Sequence, residues 1–220
     1  MTPIVIIGSS GHAKVVIEIV ERLGRHRIVG LIDRFRAPGE KTSGHAVLGC
    51  GADLPQLADQ HSLQGFIVAI GDNFMRGQVA GSVQALLPGL SFCSAVHPSA
   101  VLARDVAIGA GSVVMAGALI GPGCVIGRGC IVNTRASLDH DGELADFASL
   151  APGVTTGGHC AIGAFAAIGI GATLAHRIRV GEHSVIGAGA TVLRPIEDHC
   201  IAYGTPAKFV RPRGEGDRYL

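Results

Sequence analysis

A histidine flanked by two carboxylates, Asp139-His140-Asp141, is the triplet in this chain best suited to moving a proton. An imidazole titrates near neutrality and can take a proton from an attacking group in its transition state. A flanking carboxylate orients the ring and favours its charged form. A second set of chemically useful residues lies near the start. The apolar run Pro3–Ile7 leads into Gly8-Ser9-Ser10-Gly11-His12 and then a helical pattern. Backbone N–H groups at a helix N-terminus behind a glycine turn can face a phosphate. Asp33, about twenty positions on, can accept hydrogen bonds from a ribose or a base. The turn lacks the full G-x-G-x-x-G spacing, which argues against a dinucleotide. No serine or cysteine stands beside a base as an acyl-enzyme nucleophile would, so any acyl transfer is expected to be direct.

These residues need a scaffold, and the sequence supplies one. From Val96 to Val192 every sixth residue is aliphatic except Thr156, and four residues after each stands a small or compact one. Period six fits neither a helix nor a half-buried strand. It is the signature of a parallel β-helix, with one hexad per flat side and three sides per coil. Residues 18 apart then stack at about 4.8 Å. Both columns should point inward. The glycines following many of the aliphatic residues, such as Gly109, Gly121 and Gly157, are expected to serve corner conformations closed to residues with a Cβ. His140 falls third in its hexad, outside the inward columns, free to face a cleft or a neighbouring subunit.

The first ninety residues read as alternating strands and helices. Strands are expected at residues 3–7, 28–32 and 66–70, with a short edge strand at 47–49. Helices are expected at 13–23, 53–60 and 74–87. That pattern means a small doubly wound parallel sheet, whose ligands bind at the carboxyl ends of the strands. The divisions expected are an α/β domain over residues 1–92, a β-helix over 93–197 and a tail over 198–220.

Net charge is +1 with histidine neutral, so nothing electrostatic favours nucleic acid or an anionic membrane. No apolar run is long enough to span a bilayer, and the first residues lack a signal-peptide pattern. Cys124, Cys130 and Cys160 occupy the small inward column, while Cys50, Cys93 and Cys200 show no metal spacing. A cytoplasmic protein with free thiols is expected.

The segments GSSGHAKVV, LID, IGDNFMR, NTRASLDHD and YGTPAK run through nearly the whole chain in order. In combination with the hexads they resemble the hexapeptide-repeat nucleotide-sugar acetyltransferases of the sialic-acid, bacillosamine and perosamine pathways. The resemblance implies a left-handed β-helix, a homotrimer with active sites between subunits, and acetyl transfer from acetyl-CoA to a sugar amine. It implies His140 as general base with Asp139 as its acidic partner, Asp141 merely solvating the coil. It implies nucleotide-sugar contacts from Ser10, Gly11, His12, Asp33, Arg34, Gly71, Asp72 and Asn73. For CoA it implies Gly158, its N–H facing the thioester oxygen, with His159, Gly204, Pro206, Ala207 and Lys208. Two positions depart from bacillosamine-type relatives: Ser149 stands where they carry a second histidine, and Arg34 where they carry an acid. His159 is one substitute for that histidine. Arg34 leaves guanosine or thymidine open as the base.

Left-handed β-helices also host three-histidine zinc enzymes. His140 and His176 would stack roughly 9.6 Å apart, too far to share a zinc at about 2.1 Å per bond, and the third ligand position is Gly181. No metal is expected. The expected activity is N-acetylation of a nucleotide-linked 4-amino-4,6-dideoxyhexose. O-acetylation of a related sugar and a non-catalytic nucleotide-binding scaffold are the competing readings.

Overall fold

The computed structural model describes residues 1–219. Its first part is a six-stranded sheet: β1 (Thr2–Ile7), β2 (His26–Ile32), β3 (Lys41–Thr42), β4 (His45–Gly49), β5 (Gly65–Val68) and β6 (Ser91–Phe92). The order is β3-β4-β2-β1-β5-β6, parallel except for the two-residue β3, which pairs antiparallel outside β4. The helices are α1 (Gly11–Leu23), α2 (Leu54–His61) and α3 (Asn73–Leu86). Ile4 to Ile7 are buried on both faces, as a central parallel strand requires. Val16, Ile17, Ile19 and Val20 press α1 onto them. The direction of winding reverses between β1 and β5. There Gly8 adopts φ +108°, and a Cβ on it would lie 2.7 Å from the Ala69 carbonyl oxygen. Only glycine fits this approach.

From Ala95 onward the chain is a left-handed parallel β-helix. Two-residue strands stack 18 apart into three faces. The first face includes strands 131–132, 149–150, 167–168 and 185–186, the second 137–138, 155–156 and 173–174, and the third 125–126, 143–144 and 161–162. The inward columns are as expected: from Val114 to Val192 the aliphatic residues and their small partners are buried. At the open end of the prism Leu102 is exposed. At the other end the antiparallel hairpin Cys200–Gly204 and Ala207–Pro212 extends the first face. Cys124, Cys130 and Cys160 are free and buried. Each thiol donates to the carbonyl 15 residues on, at 2.9 to 3.1 Å. Burial pushes the Cys130 thiol up to about 12.

The corner glycines play a different part from the one expected. Gly109, Gly121 and Gly157 do not have positive φ. They are needed because coils press together: a Cβ on Gly121 would lie 2.8 Å from the His140 nitrogen, and one on Gly157 2.8 Å from that of His176. The left-handed residue is the third after the aliphatic one. Glycine fills it at 111, 123 and 153, but Asp141, Phe147, His159, Phe165 and His183 adopt it with φ of 54° to 58°.

The prism therefore has three edges. The edge between the third and first faces carries a ladder of stacked rings, Phe147, Phe165, His183 and His199, with centroids 4.8 to 5.3 Å apart. The α/β part docks here through α3, with Phe74 against Phe165 and His183. The edge between the second and third faces carries His140, Gly158 and His176. The edge between the first and second faces borders a cavity described below. No helix among the described residues is long and apolar enough to cross a membrane.

Candidate active site

His140 is half-exposed at its edge. Its Nδ1 lies 2.8 Å from Asp141 Oδ2. With Nδ1–H donated to the carboxylate, the neutral ring presents Nε2 as a proton acceptor. The Asp141 hydrogen bond holds the His140 pKa above the ordinary imidazole value, with the Asp139 charge adding to it. One coil on, His159 Nε2 stands 3.6 Å from the same carboxylate oxygen, and its ring meets His140 edge-on at 5.1 Å. The partner is thus Asp141, not Asp139. Left-handed φ at 141 turns that side chain toward the ring, while Asp139 Oδ1 folds back to accept the His140 backbone N–H at 2.8 Å.

Gly158 also differs from expectation. Its N–H donates to His176 Nδ1 at 2.9 Å, so it is not free for a thioester oxygen. Its requirement here is steric, because a Cβ at 158 would collide with His140 Nε2 and Cε1. The side-chain nitrogens of His140 and His159 and an Asp141 oxygen lie within 4.8 Å of one another.

The second group of residues surrounds the glycine turn. Ser10 is the N-cap residue of α1 with its hydroxyl uncommitted, and Gly11 opens the helix with no atom near its Cβ position. It is Ser9, buried, that donates to Asp33 Oδ2, while Asp33 Oδ1 accepts from the Phe35 N–H. Arg34 stacks its guanidinium 4.5 Å over the exposed Phe35 ring. His12 faces a cavity of about 350 Å³ between the α/β part and the first face, lined also by Gly71, Asn133, Ser149, Ile170 and Tyr219. Burial, aided by the Arg76 charge, lowers its pKa to about 4, so His12 is neutral and its Nε2 has no partner. The ring is thus an uncharged part of the cavity wall. Asn73 and Asp72 are both engaged within the protein. Asn73 is fully buried, its amide donating to the Phe165 and Ala166 carbonyls and its oxygen accepting from Arg76. Asp72 caps α3 by accepting the Met75 N–H. Sequence reasoning passed over Tyr219, whose hydroxyl accepts the Asn73 N–H and which closes the cavity from the tail.

Residues 3–83 match the PglD N-terminal domain family, and residues 95–138 the bacterial transferase hexapeptide family. A crystal structure of a histidine-to-alanine mutant of GDP-perosamine N-acetyltransferase from Caulobacter crescentus, in complex with CoA and GDP-perosamine, superposes with a TM-score of 0.91 at 36% identity, covering 96% of this chain and 98% of that one. The chain belongs to the hexapeptide-repeat nucleotide-sugar acetyltransferases. Another member, the acetyltransferase domain of PglB from Neisseria gonorrhoeae with acetyl coenzyme A, gives 0.86 at 34% identity over 94% and 98%. UDP-N-acetylbacillosamine N-acetyltransferase of Bacillus subtilis is 32% identical over 121 residues, and GDP-perosamine N-acetyltransferase of Escherichia coli O157:H7 is 28% identical over 147. Those aligned stretches span 52% and 63% of the two curated relatives.

For a nucleotide-sugar acetyltransferase with this histidine, the pH dependence has a definite sign. A histidine base works deprotonated, so with His140 in that role activity is expected to fall as pH drops through its raised pKa. Asp141→Asn removes the main cause of the elevation. Its acid limb is expected at lower pH, with the plateau rate down about tenfold because a weaker base transfers less readily. Asp139→Asn should move the limb less. A pH–rate profile in which Asp139→Asn moves it more would return the partner's role to Asp139.

Proposed function

We propose that this protein transfers the acetyl group of acetyl-CoA to the amino group of a nucleotide-linked 4-amino-4,6-dideoxyhexose, with GDP-perosamine the best-supported acceptor. The observation that carries the reading is the His140 ring, tied through Nδ1 to Asp141 with Nε2 left to accept a proton. The neutral amine attacks the thioester carbonyl while Nε2 takes its proton, and the tetrahedral intermediate expels the CoA thiolate. The resulting imidazolium, stabilised by Asp141, can return the proton to sulfur. CoA would lie along the edge of Gly158 and His159 toward the exposed Gly204, Pro206 and Lys208 and the half-buried Ala207 of the final hairpin.

The sugar cavity and His140 lie on different edges of one prism. A neighbouring chain that brings its histidine edge to this cavity completes the site, which supports a homotrimer. Arg34 supports guanine: its guanidinium can donate to the O6 and N7 acceptors of that base. Steady-state assays with acetyl-CoA and GDP-, UDP- and dTDP-linked 4-amino sugars test the reading, together with thermal shifts from the free diphosphates. GDP should raise Tm most, because a ligand of the native state stabilises it. Turnover on sugar hydroxyls with none on amines would move the chemistry to O-acetylation. Absence of CoA binding would leave only a scaffold.

A further inference from the structure

The single break in the aliphatic ladder lies directly beneath the histidine edge. At every other position of this kind from His97 to Gly187, the residue after the inward aliphatic one donates its N–H to a backbone carbonyl of the next coil. Asp139 instead donates to the side-chain hydroxyl of Thr156, at 3.1 Å. The strand pairing agrees. Strands 137–138 and 155–156 pair only at Ser137 with Thr155, whereas the pairs before and after them on that face join at both residues. Thr156 is buried at 3% exposure, in a column otherwise wholly aliphatic. A hydroxyl there has no packing advantage over the methyl of valine, and burying it requires a partner. Its partner is the backbone N–H one residue before His140.

We propose that Thr156 is a positioning residue for the base: its hydroxyl takes the place of the backbone carbonyl in the ladder and sets the Asp139–His140 corner off the regular coil register. The corner is otherwise constrained on every side. Gly121 packs on the His140 backbone from the previous coil, Gly158 leaves just enough room for the ring, and the Asp139 carboxylate holds the His140 N–H. Restoring the regular ladder would shift His140 relative to Asp141 and to the thioester. This rests on His140 being the base, and the test separates the two claims.

The experiment compares Thr156→Val, Thr156→Ser and His140→Ala. Valine suits the column, so Tm should hold or rise. The kcat should fall about 10- to 100-fold, the range for an ångström-scale misplacement, with KM for both substrates unchanged. Serine keeps the hydroxyl and should stay within about threefold of wild type. NMR titration of the His140 ring gives a readout independent of turnover: its pKa should drop in Thr156→Val and stay raised in Thr156→Ser. Wild-type kcat and an unmoved His140 titration in Thr156→Val would overturn the positioning role. Equal losses in the valine and serine variants that track a fall in Tm would also overturn it. Retained turnover in His140→Ala would instead overturn the base assignment, leaving the titration to decide Thr156.

Discussion

Alanine or asparagine at His140 should lower kcat by roughly 10²- to 10⁴-fold, the usual contribution of a positioned general base. The asparagine variant is the sharper of the two. Its side-chain amide can still donate to Asp141, so the local hydrogen bond and most of the volume survive, but it cannot take a proton. Equal losses in both variants therefore assign the effect to proton transfer rather than to packing. KM for acetyl-CoA should change little, because the ring acts on the acceptor amine. Stability should change little, since the ring is half-exposed and outside both inward columns. The remaining activity should lose its acid limb. Near-wild-type turnover in both variants would remove His140 from the mechanism.

How readily that histidine could be found in the sequence depended on the repeat. A hexad ladder without insertions assigns each residue a face, an edge or the interior, and so placed His140 outside the core before any coordinates. The same ladder could not say which flanking aspartate touches the ring. That depends on which residue of the corner is left-handed, and the abundant glycines pointed to the first residue after the aliphatic one, whereas the chain uses the third. Glycine at the first position answers to crowding between coils, a constraint between residues 18 apart that leaves no local mark. Thr156 was visible as an exception, but its meaning required knowing that a backbone donor had lost its usual acceptor. The IGDNFMR segment was legible as a family mark, but the burial of its Asn73 was not. Asn73 and Arg76 look like ligand-binding residues because they are polar and follow a strand, yet both point into the interface with the β-helix.

Arg76→Met should destabilise the protein by about 3 to 5 kcal/mol, the scale for disrupting a buried, fully satisfied charged group. The guanidinium is 1% exposed and, among the described residues, hydrogen-bonds to no carboxylate. All five of its N–H groups are nonetheless accounted for. Nε donates to Gly129 O at 2.6 Å, Nη1 to Ile70 O and Gly71 O, and Nη2 to Asn73 Oδ1 and Phe147 O. Burial lowers its pKa only to about 10, so it remains charged at neutral pH. The carbonyls it serves come from the turn after β5 and from two successive coil corners, which makes it the pin between the α/β part and the prism. Methionine fills much of the volume and avoids a cavity, so the expected loss comes from acceptors left without donors. Denaturant unfolding of Arg76→Met, Asn73→Ala and the double variant forms a cycle, and the single losses should not add because the two residues share a network. The substitution should also act on the site. The Arg76 charge helps keep His12 neutral, so its removal should raise the His12 pKa. A loosened interface should widen the cavity that His12, Gly71 and Tyr219 line, raising KM for the nucleotide sugar more than KM for acetyl-CoA. Full stability in the methionine variant would mean that apolar packing alone joins the two parts, and that the arginine could be replaced without loss of the sugar site.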